Sequence, residues 1–215
     1  MKNLVIIGAG EFGRELYWHS QNSRGYGKSF SVKGYIDDVM YAGPSSEKYA
    51  HVPLPLLNSI KNYRPEHDDI FICAIGSPSG REAVVNIMLE RGAEFMTLVH
   101  NTSRVADTAK IGTGAFLGPY TCVGPETSVG DHVMLNTHTA VGHDAVIGRC
   151  SCLMSFVDVT GRTEIGEKVF MGSGSRTAPG AKIGSCSYVG LGSVILKRVR
   201  ENSKVFGNPA VPLDF

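Results

Sequence analysis

The sequence predicts two joined folds: a small Rossmann-like α/β domain over residues 1–100, then a parallel β-helix of about five coils with a C-terminal tail over 101–215. Three observations carry this. Strand, glycine turn and helix alternate through the first half; a six-residue repeat runs unbroken from about 103 to 196; and the 26 glycines of 215 residues exceed the usual share and follow the repeat.

In the first half, Leu4-Val5-Ile6-Ile7 is a buried-strand run that ends in Gly8-Ala9-Gly10-Glu11-Phe12-Gly13 and passes into a helix through Arg14-Glu15-Leu16-Tyr17-Trp18. Phe30 to Ile36 predicts a second strand closing on Asp37-Asp38, and Leu56 to Tyr63 a short helix. Ile70 to Ile75 predicts a third strand ending at Gly76-Ser77-Pro78, followed by a helix from about Ser79 to Glu90 and a strand at Phe95 to Val99 that completes the sheet. Such alternation implies a parallel sheet whose ligands lie at the carboxyl ends of its strands, where Gly8–Gly13, Asp37-Asp38 and Gly76-Ser77 all fall.

In the second half, every sixth residue from Val105 to Ile195 is apolar at fifteen of sixteen places, Thr177 being the exception, and the residue two before each is small or β-branched. A period of six holds a strand's alternation, with both marked positions inward and a glycine-favoured turn after them. Three such units close a coil of 18 residues, so Val105, Val123, Val141, Val159, Thr177 and Ile195 stack in one ladder.

Composition narrows the function. With 42% hydrophobic and 19% charged residues and 21 basic against 20 acidic side chains, the chain is ordinary soluble-protein chemistry, and a net charge of +1 supplies no basic field for nucleic acid. No run is long enough for a signal-peptide core or a membrane span, and the five cysteines lack zinc-site spacing, so free thiols in the cytoplasm are expected. Cys150 and Cys152 are expected to point oppositely along a strand, as structural residues.

The hexad run resembles the hexapeptide-repeat acyltransferases. Joined to the first domain, the order Gly8-x-Gly10-x-x-Gly13, Gly34-Tyr35-Ile36-Asp37-Asp38, Ala74-Ile75-Gly76, Asn136 seven before His143-Asp144, and Gly207-Asn208-Pro209-Ala210 resembles the NeuD/PglD-type sugar O- and N-acetyltransferases over nearly the whole chain. The resemblance implies a left-handed superhelix, a homotrimer, acetyl-CoA as co-substrate in a groove between neighbouring β-helices, and a nucleotide-linked sugar in the N-terminal pocket. It places Asp37 and Asp38 near base or ribose, Gly8, Gly10, Gly13 and Arg14 near the diphosphate, Gly76 and Ser77 at the rim, and Asn136 at the substrate. The sequence departs from many N-acetylating relatives at Glu11-Phe12, where they carry Gly-His, and at Cys152, where they carry a second histidine.

Acetyl transfer needs a base, an oxyanion donor and a positioned thioester. His143, two residues after the inward Val141, is the expected base, since imidazole exchanges protons near neutral pH; Asp144 is given by the resemblance the role of orienting it. One coil on, Gly161 offers an unobstructed backbone N–H to the thioester oxygen. Ser173 and Leu191 are expected along the pantetheine arm, and Lys197, with Arg198 and Arg200, at the CoA phosphates. His132, His138 and His143 have registers that separate them, so no metal is expected. The reading is an acetyl-CoA-dependent N-acetyltransferase of a nucleotide-linked amino sugar in surface-glycan synthesis. A sugar O-acetyltransferase of sialic-acid type and a non-catalytic nucleotide-binding module remain alternatives.

Overall fold

The computed structural model describes residues 1–38 and 54–213. Its first unit is a four-stranded parallel sheet in the order β3-β2-β1-β4, built from β1 (Lys2–Ile7), β2 (Phe30–Ile36), β3 (Leu56–Asn58) and β4 (Asp69–Cys73). β1 is central, and Leu4, Val5, Ile6 and Ile7 are all fully buried, which is why this strand reads as a continuous apolar run. Val5 and Ile7 pack with Val85 and Met88 of α2 (Pro78–Glu90), whereas Leu4 and Ile6 pack with Leu16 of α1 (Glu11–Ser20) in a cluster that continues into the second unit through Phe116, Met134 and Cys152.

Two sequence expectations are corrected here. Leu56 to Tyr63 is not a helix: Leu56–Asn58 pairs in parallel with β2, the Pro55 carbonyl accepts from Tyr35 N, and the chain then turns at Ser59. A sheet edge with free donors outweighs the helical signal of so short a segment flanked by proline. The strand expected over Phe95 to Val99 is divided. Phe95 makes one isolated bridge to Phe71, and Leu98–Val99 joins the second unit by pairing with Phe116–Leu117.

From Leu98 the chain winds as a β-solenoid of two-residue strands on three parallel faces. The first face runs from Leu98–Val99 through Met134–Leu135 to Lys204–Gly207, with Ala210–Pro212 added antiparallel; the second from Arg104–Val105 through Ala140–Val141 to Val194–Ile195; the third from Lys110–Ile111 through Val146–Ile147 to Arg198–Val199. Successive rungs pair residues 18 apart, as in Ser128 with Val146 and Leu135 with Leu153. The last coil is two residues shorter, so Val199 pairs with Ile183 and Val205 with Val189.

The inward ladders form one dry column, in which Leu117, Leu135, Leu153 and Met171 stack on the first face and Val141 and Val159 on the second. Thr177, the polar exception, is satisfied: its hydroxyl accepts from Thr160 N at 3.0 Å and lies 3.1 Å from the Thr163 hydroxyl. Replacing Leu135 by alanine is expected to cost about 2–5 kcal/mol, because rungs fixed above and below leave the cavity little room to collapse; urea unfolding with an unchanged m-value checks it.

Most corners turn through a residue with left-handed backbone, including non-glycine residues Tyr120, His132, His138, Asp144, Cys150 and Phe156 at φ between 54° and 61°. Each is held there by a hydrogen bond to the coil below, such as Asp144 N to Pro125 O at 3.0 Å.

The first unit carries its own polar cluster around Lys33 of β2. Lys33 Nζ reaches Asp69 at 2.9 Å, Glu66 at 2.8 Å and the Tyr63 hydroxyl at 3.1 Å, and Tyr63 donates to Asp69 at 2.6 Å. Burial by itself pushes the Asp69 carboxyl up, but the Tyr63 hydroxyl, the Glu66 N–H and Lys33 together hold it below its usual range. The stabilisation is therefore complete above the ordinary carboxyl pKa and is lost as pH falls below it. Acid unfolding of Asp69→Asn is expected to be less steep than that of the wild type, measured as Tm against pH between about 5 and 3.

Candidate active site

The Ala140–Val141 strand leaves the second face, and Gly142-His143-Asp144-Ala145 turns the corner to Val146–Ile147 on the third. Val141 and Ala145 are buried, which pins the turn at both ends and sends His143 outward. His143 Nδ1 lies 2.6 Å from Asp144 Oδ2, with 52% of the histidine and 54% of the aspartate side chain exposed. The left-handed backbone at Asp144, φ 54°, is a conformation aspartate tolerates better than most residues, and it directs the carboxylate back to the ring. With the Nδ1 proton donated to a carboxylate, Nε2 is left as the acceptor.

The ring is seated on Gly161, one coil further along. A Cβ built on Gly161 would lie 2.5 Å from His143 Nε2 and 2.7 Å from Cε1, so the absence of a side chain there is a steric requirement of the imidazole itself. The sequence argument had Gly161 open only to the thioester. The backbone is tied into the column, with Arg162 N donating to His143 O at 2.9 Å and Gly180 N to Gly161 O at 3.0 Å, while the Gly161 N–H finds no acceptor among the described residues.

Not every expected site residue joins this column. Lys197 shares its edge, exposed beside Arg198 and Arg200 around a hollow of about 700 Å³ at the end of the solenoid, although the two residues missing from the last coil set it level with Ala181 and out of line with His143 and Gly161. Ser173 and Leu191 do not: they follow Ser155 on the corner between the first and second faces, so a single chain separates them from His143 by the width of the second face. Asn136 is buried at 4% exposure, and its Oδ1 accepts from Thr137 N at 2.7 Å; it shapes its own corner and does not open to solvent in the single chain. His132, His138 and His143 stand on three different edges, and among the described residues no group of three or more His, Cys, Asp or Glu side chains could hold a metal.

One feature escaped the sequence argument. Tyr120, His138 and Phe156, 18 residues apart, stack ring on ring at 4.8 Å along the same edge as Ser173 and Leu191, with Tyr120 59% and Phe156 61% exposed. The coil arithmetic already contained this column, but aromatics at corners carry no apolar ladder to reveal them.

In the first unit, Gly8–Gly13 follows β1 and Gly76-Ser77 follows β4, so the two loops flank the point where the strand order reverses. Gly8 is left-handed at φ 100°, a Cβ on Gly13 would strike the Gly8 carbonyl, and Gly10 and Gly76 have open space above them. Both helices begin at this crevice: α1 has no side-chain cap at Gly10, while α2 is capped by Ser77, whose hydroxyl accepts from Gly80 N at 3.4 Å. Asp37 Oδ2 accepts from Ala9 N at 2.9 Å and so holds the glycine loop; Asp38 Oδ1 accepts from Lys61 N at 2.9 Å. Arg14 Nε and the Tyr35 hydroxyl are buried beneath the loop without a protein partner.

This crevice and His143 are not brought together in one chain. The first unit covers the first face, through Phe12 on Phe116, Arg81 on Met134 and Leu98 within the same cluster, and the edge opposite the first face of a three-sided solenoid is the one that carries His143.

No protein-family model matches the sequence. Solved structures do. The acetyltransferase domain of PglB from Neisseria gonorrhoeae superposes with a TM-score of 0.87 at 24% identity, covering 99% of this chain and all of that one. WeeI from Acinetobacter baumannii gives 0.84 at 24% over 99% and 100%, and PerB from Caulobacter crescentus, solved with CoA and GDP-perosamine, 0.83 at 21% over 100% and 98%. The chain has the fold of these proteins. The likeness spans both units, so the α/β sheet and the solenoid are shared together and not as separate modules.

Proposed function

We propose that the chain is an acetyl-CoA-dependent N-acetyltransferase acting on a nucleotide-linked amino sugar, with His143 as general base. The observation that carries the reading is the oriented imidazole: Nδ1 bound to Asp144 at 2.6 Å and Nε2 poised over a glycine whose N–H is unpaired. PglB's domain has been solved with acetyl-CoA and PerB with CoA and GDP-perosamine, which supplies the substrate classes.

In the proposed reaction the sugar amine adds to the thioester carbonyl while its proton passes to Nε2. Asp144 stabilises the imidazolium, and the Gly161 N–H donates to the oxyanion. Collapse expels the CoA sulfur, which takes the proton back from Nε2, and no acyl-enzyme forms. The nucleotide lies in the crevice of the first domain, residues 1–100. Gly8, Gly10, Gly13 and Arg14 face its diphosphate, Asp37 and Asp38 its nucleoside, and Gly76 and Ser77 the rim; the helix N-termini favour negative charge there.

Because that crevice and His143 lie on opposite sides of one solenoid, the reading requires a second copy. In a left-handed homotrimer, the edge with Ser173 and Leu191 of one copy would face the edge with His143, Gly161 and Lys197 of the next, enclosing acetyl-CoA between them, and the exposed Tyr120–His138–Phe156 stack would be covered. Among the described residues no helix is long and apolar enough to cross a membrane; the reaction is assigned to the cytoplasm, in surface-glycan synthesis.

CoA release measured with acetyl-CoA and a panel of UDP-, dTDP- and GDP-linked amino sugars, with sialic acid alongside, tests this. Turnover on one nucleotide amino sugar is expected. Turnover on sialic acid alone would replace the N-acetyl reading with O-acetylation.

A further inference from the structure

The first face of the solenoid runs on beyond the unit that covers it. Its outward side chains, one per coil, pass from Leu98 through Phe116, Met134 and Cys152 to Phe170 and Tyr188. The first four are fully buried, Phe170 is partly buried against the cluster that joins the two units, and Tyr188 is 45% exposed. The Phe170 and Tyr188 rings are stacked, with centroids 4.9 Å apart and planes 7° from parallel. The sequence had Cys150 and Cys152 on opposite sides of one strand; Cys150 stands at the corner before that strand instead, and both are buried.

Helix geometry brings the crevice of the first unit to these two rings. α2 descends the solenoid from its N-terminus. Glu82 binds Lys168 at 2.8 Å and Arg149 at 2.7 Å, on successive coils, Asn86 reaches Arg149 at 3.4 Å, and Leu89 borders a hollow with His132 and Thr113 on coils lower still. At about 1.5 Å per residue, Ser77 stands about 7 Å above Glu82, or about one and a half strand spacings. Lys168 precedes Phe170 by two residues, so the Gly76-Ser77 rim is level with Phe170 and Tyr188. α1 descends too, with Phe12 and His19 both against Phe116 and His19 also against His100 of the lowest coil. Both helices therefore direct their positive ends up the first face, and Gly10 and Gly76 leave open space there.

Strand order sets the direction of a ligand in this crevice. Asp37 follows β2, the glycine loop follows β1 and Gly76-Ser77 follows β4, and the three strands are neighbours in that order. A nucleoside on the Asp37 side and a diphosphate at the glycine loop leave the group carried by the diphosphate on the β4 side, beside α2 and the first face. We infer that Phe170 and Tyr188 form the solenoid-side wall of the crevice and that Tyr188 binds the sugar ring of the nucleotide-linked substrate, with Phe170 stacked beneath to hold it in place. The inference rests on the proposed nucleotide-sugar reading of the crevice. A pyranose offers C–H groups to an aromatic ring and hydroxyls to a phenol that both donates and accepts, so one tyrosine engages both.

Titration calorimetry on the full chain tests this with two kinds of probe: UDP, dTDP and GDP, which end at the diphosphate, and the amino sugars linked to them. Tyr188→Ala is expected to weaken binding of the nucleotide amino sugar on the order of tenfold and to leave the matching nucleoside diphosphate unchanged. Its Tm and oligomeric mass are expected to stay at the wild-type values, because the side chain is exposed and off the inward ladders. Tyr188→Phe, which keeps the ring, is expected to recover part of the affinity. Equal weakening of both probes, or of neither, would overturn the inference while leaving the crevice as the nucleotide site. A smaller oligomer would overturn it as well, by making the ring pair a contact between copies. Wild-type protein that binds neither kind of probe would remove the nucleotide reading of the crevice and the inference with it.

Discussion

Replacing His143 with alanine is expected to lower kcat by about 10²–10⁴-fold while leaving Tm within a degree or two of the wild type. The split follows from where the residue stands. Its side chain is half exposed and packs on no apolar ladder, and the corner is held by backbone bonds that survive the change, Arg162 N to His143 O and Asp144 N to Pro125 O. Its chemistry has no substitute nearby, because His132 and His138 occupy other edges. Asp144→Asn is expected to be milder in kcat, since the amide can still accept from Nδ1 but no longer stabilises the imidazolium. A loss of stability equal to the loss of rate would assign His143 a structural role. Stopped CoA release together with thermal melts measures both.

Substituting alanine at Gly161 is the second large effect. The added methyl would occupy the position 2.5 Å from Nε2, and its nearest neighbours are all atoms of the imidazole, so the ring is what must give way. Swinging the ring breaks its 2.6 Å contact with Asp144 or withdraws Nε2 from the acceptor amine; a displacement of about 1 Å at a reacting group costs on the order of 10²-fold in rate. Gly161 has an ordinary backbone φ, so the same methyl should cost little stability. Because the damage passes through the ring, it should vanish when the ring is absent: in a His143→Ala background, Gly161→Ala is expected to add almost nothing, a strongly non-additive cycle. An equal further loss there would mean that Gly161 acts on the thioester alone.

The solenoid was legible because its repeat states the fold many times over. A six-residue frame that puts aliphatics at Val141, Ile147 and Leu153 fixes coil length, inward face and corner positions at once, and the pairing of residues 18 apart follows. The same arithmetic set Gly161 beside His143. It also sets Ser173 apart from them, since 30 residues from His143 is not a multiple of 18 and Ser173 stands on another edge. The α/β unit was legible at its glycine loops and central strand and misread at its margins. Leu56–Asn58 and Leu98–Val99 are short segments whose state is decided by which sheet edge needs a partner, information that no local pattern contains. Asn136 shows the limit for site residues, because its motif position said nothing of its burial. Ser77 and Asp37 were found by position, but their structural tasks, capping α2 and holding Ala9, depend on contacts across the fold.

The central claim is that the His143–Asp144 pair moves an acetyl group onto a sugar amine. The most direct test is to incubate the enzyme with acetyl-CoA and the nucleotide amino sugar that supports turnover, and to locate the new acetyl group by mass spectrometry and NMR in wild type and His143→Ala. The account predicts an amide at the sugar nitrogen, formed in step with CoA release by the wild type and nearly absent with the variant. An ester at a hydroxyl, or amide formation that persists at the wild-type rate without His143, would contradict it.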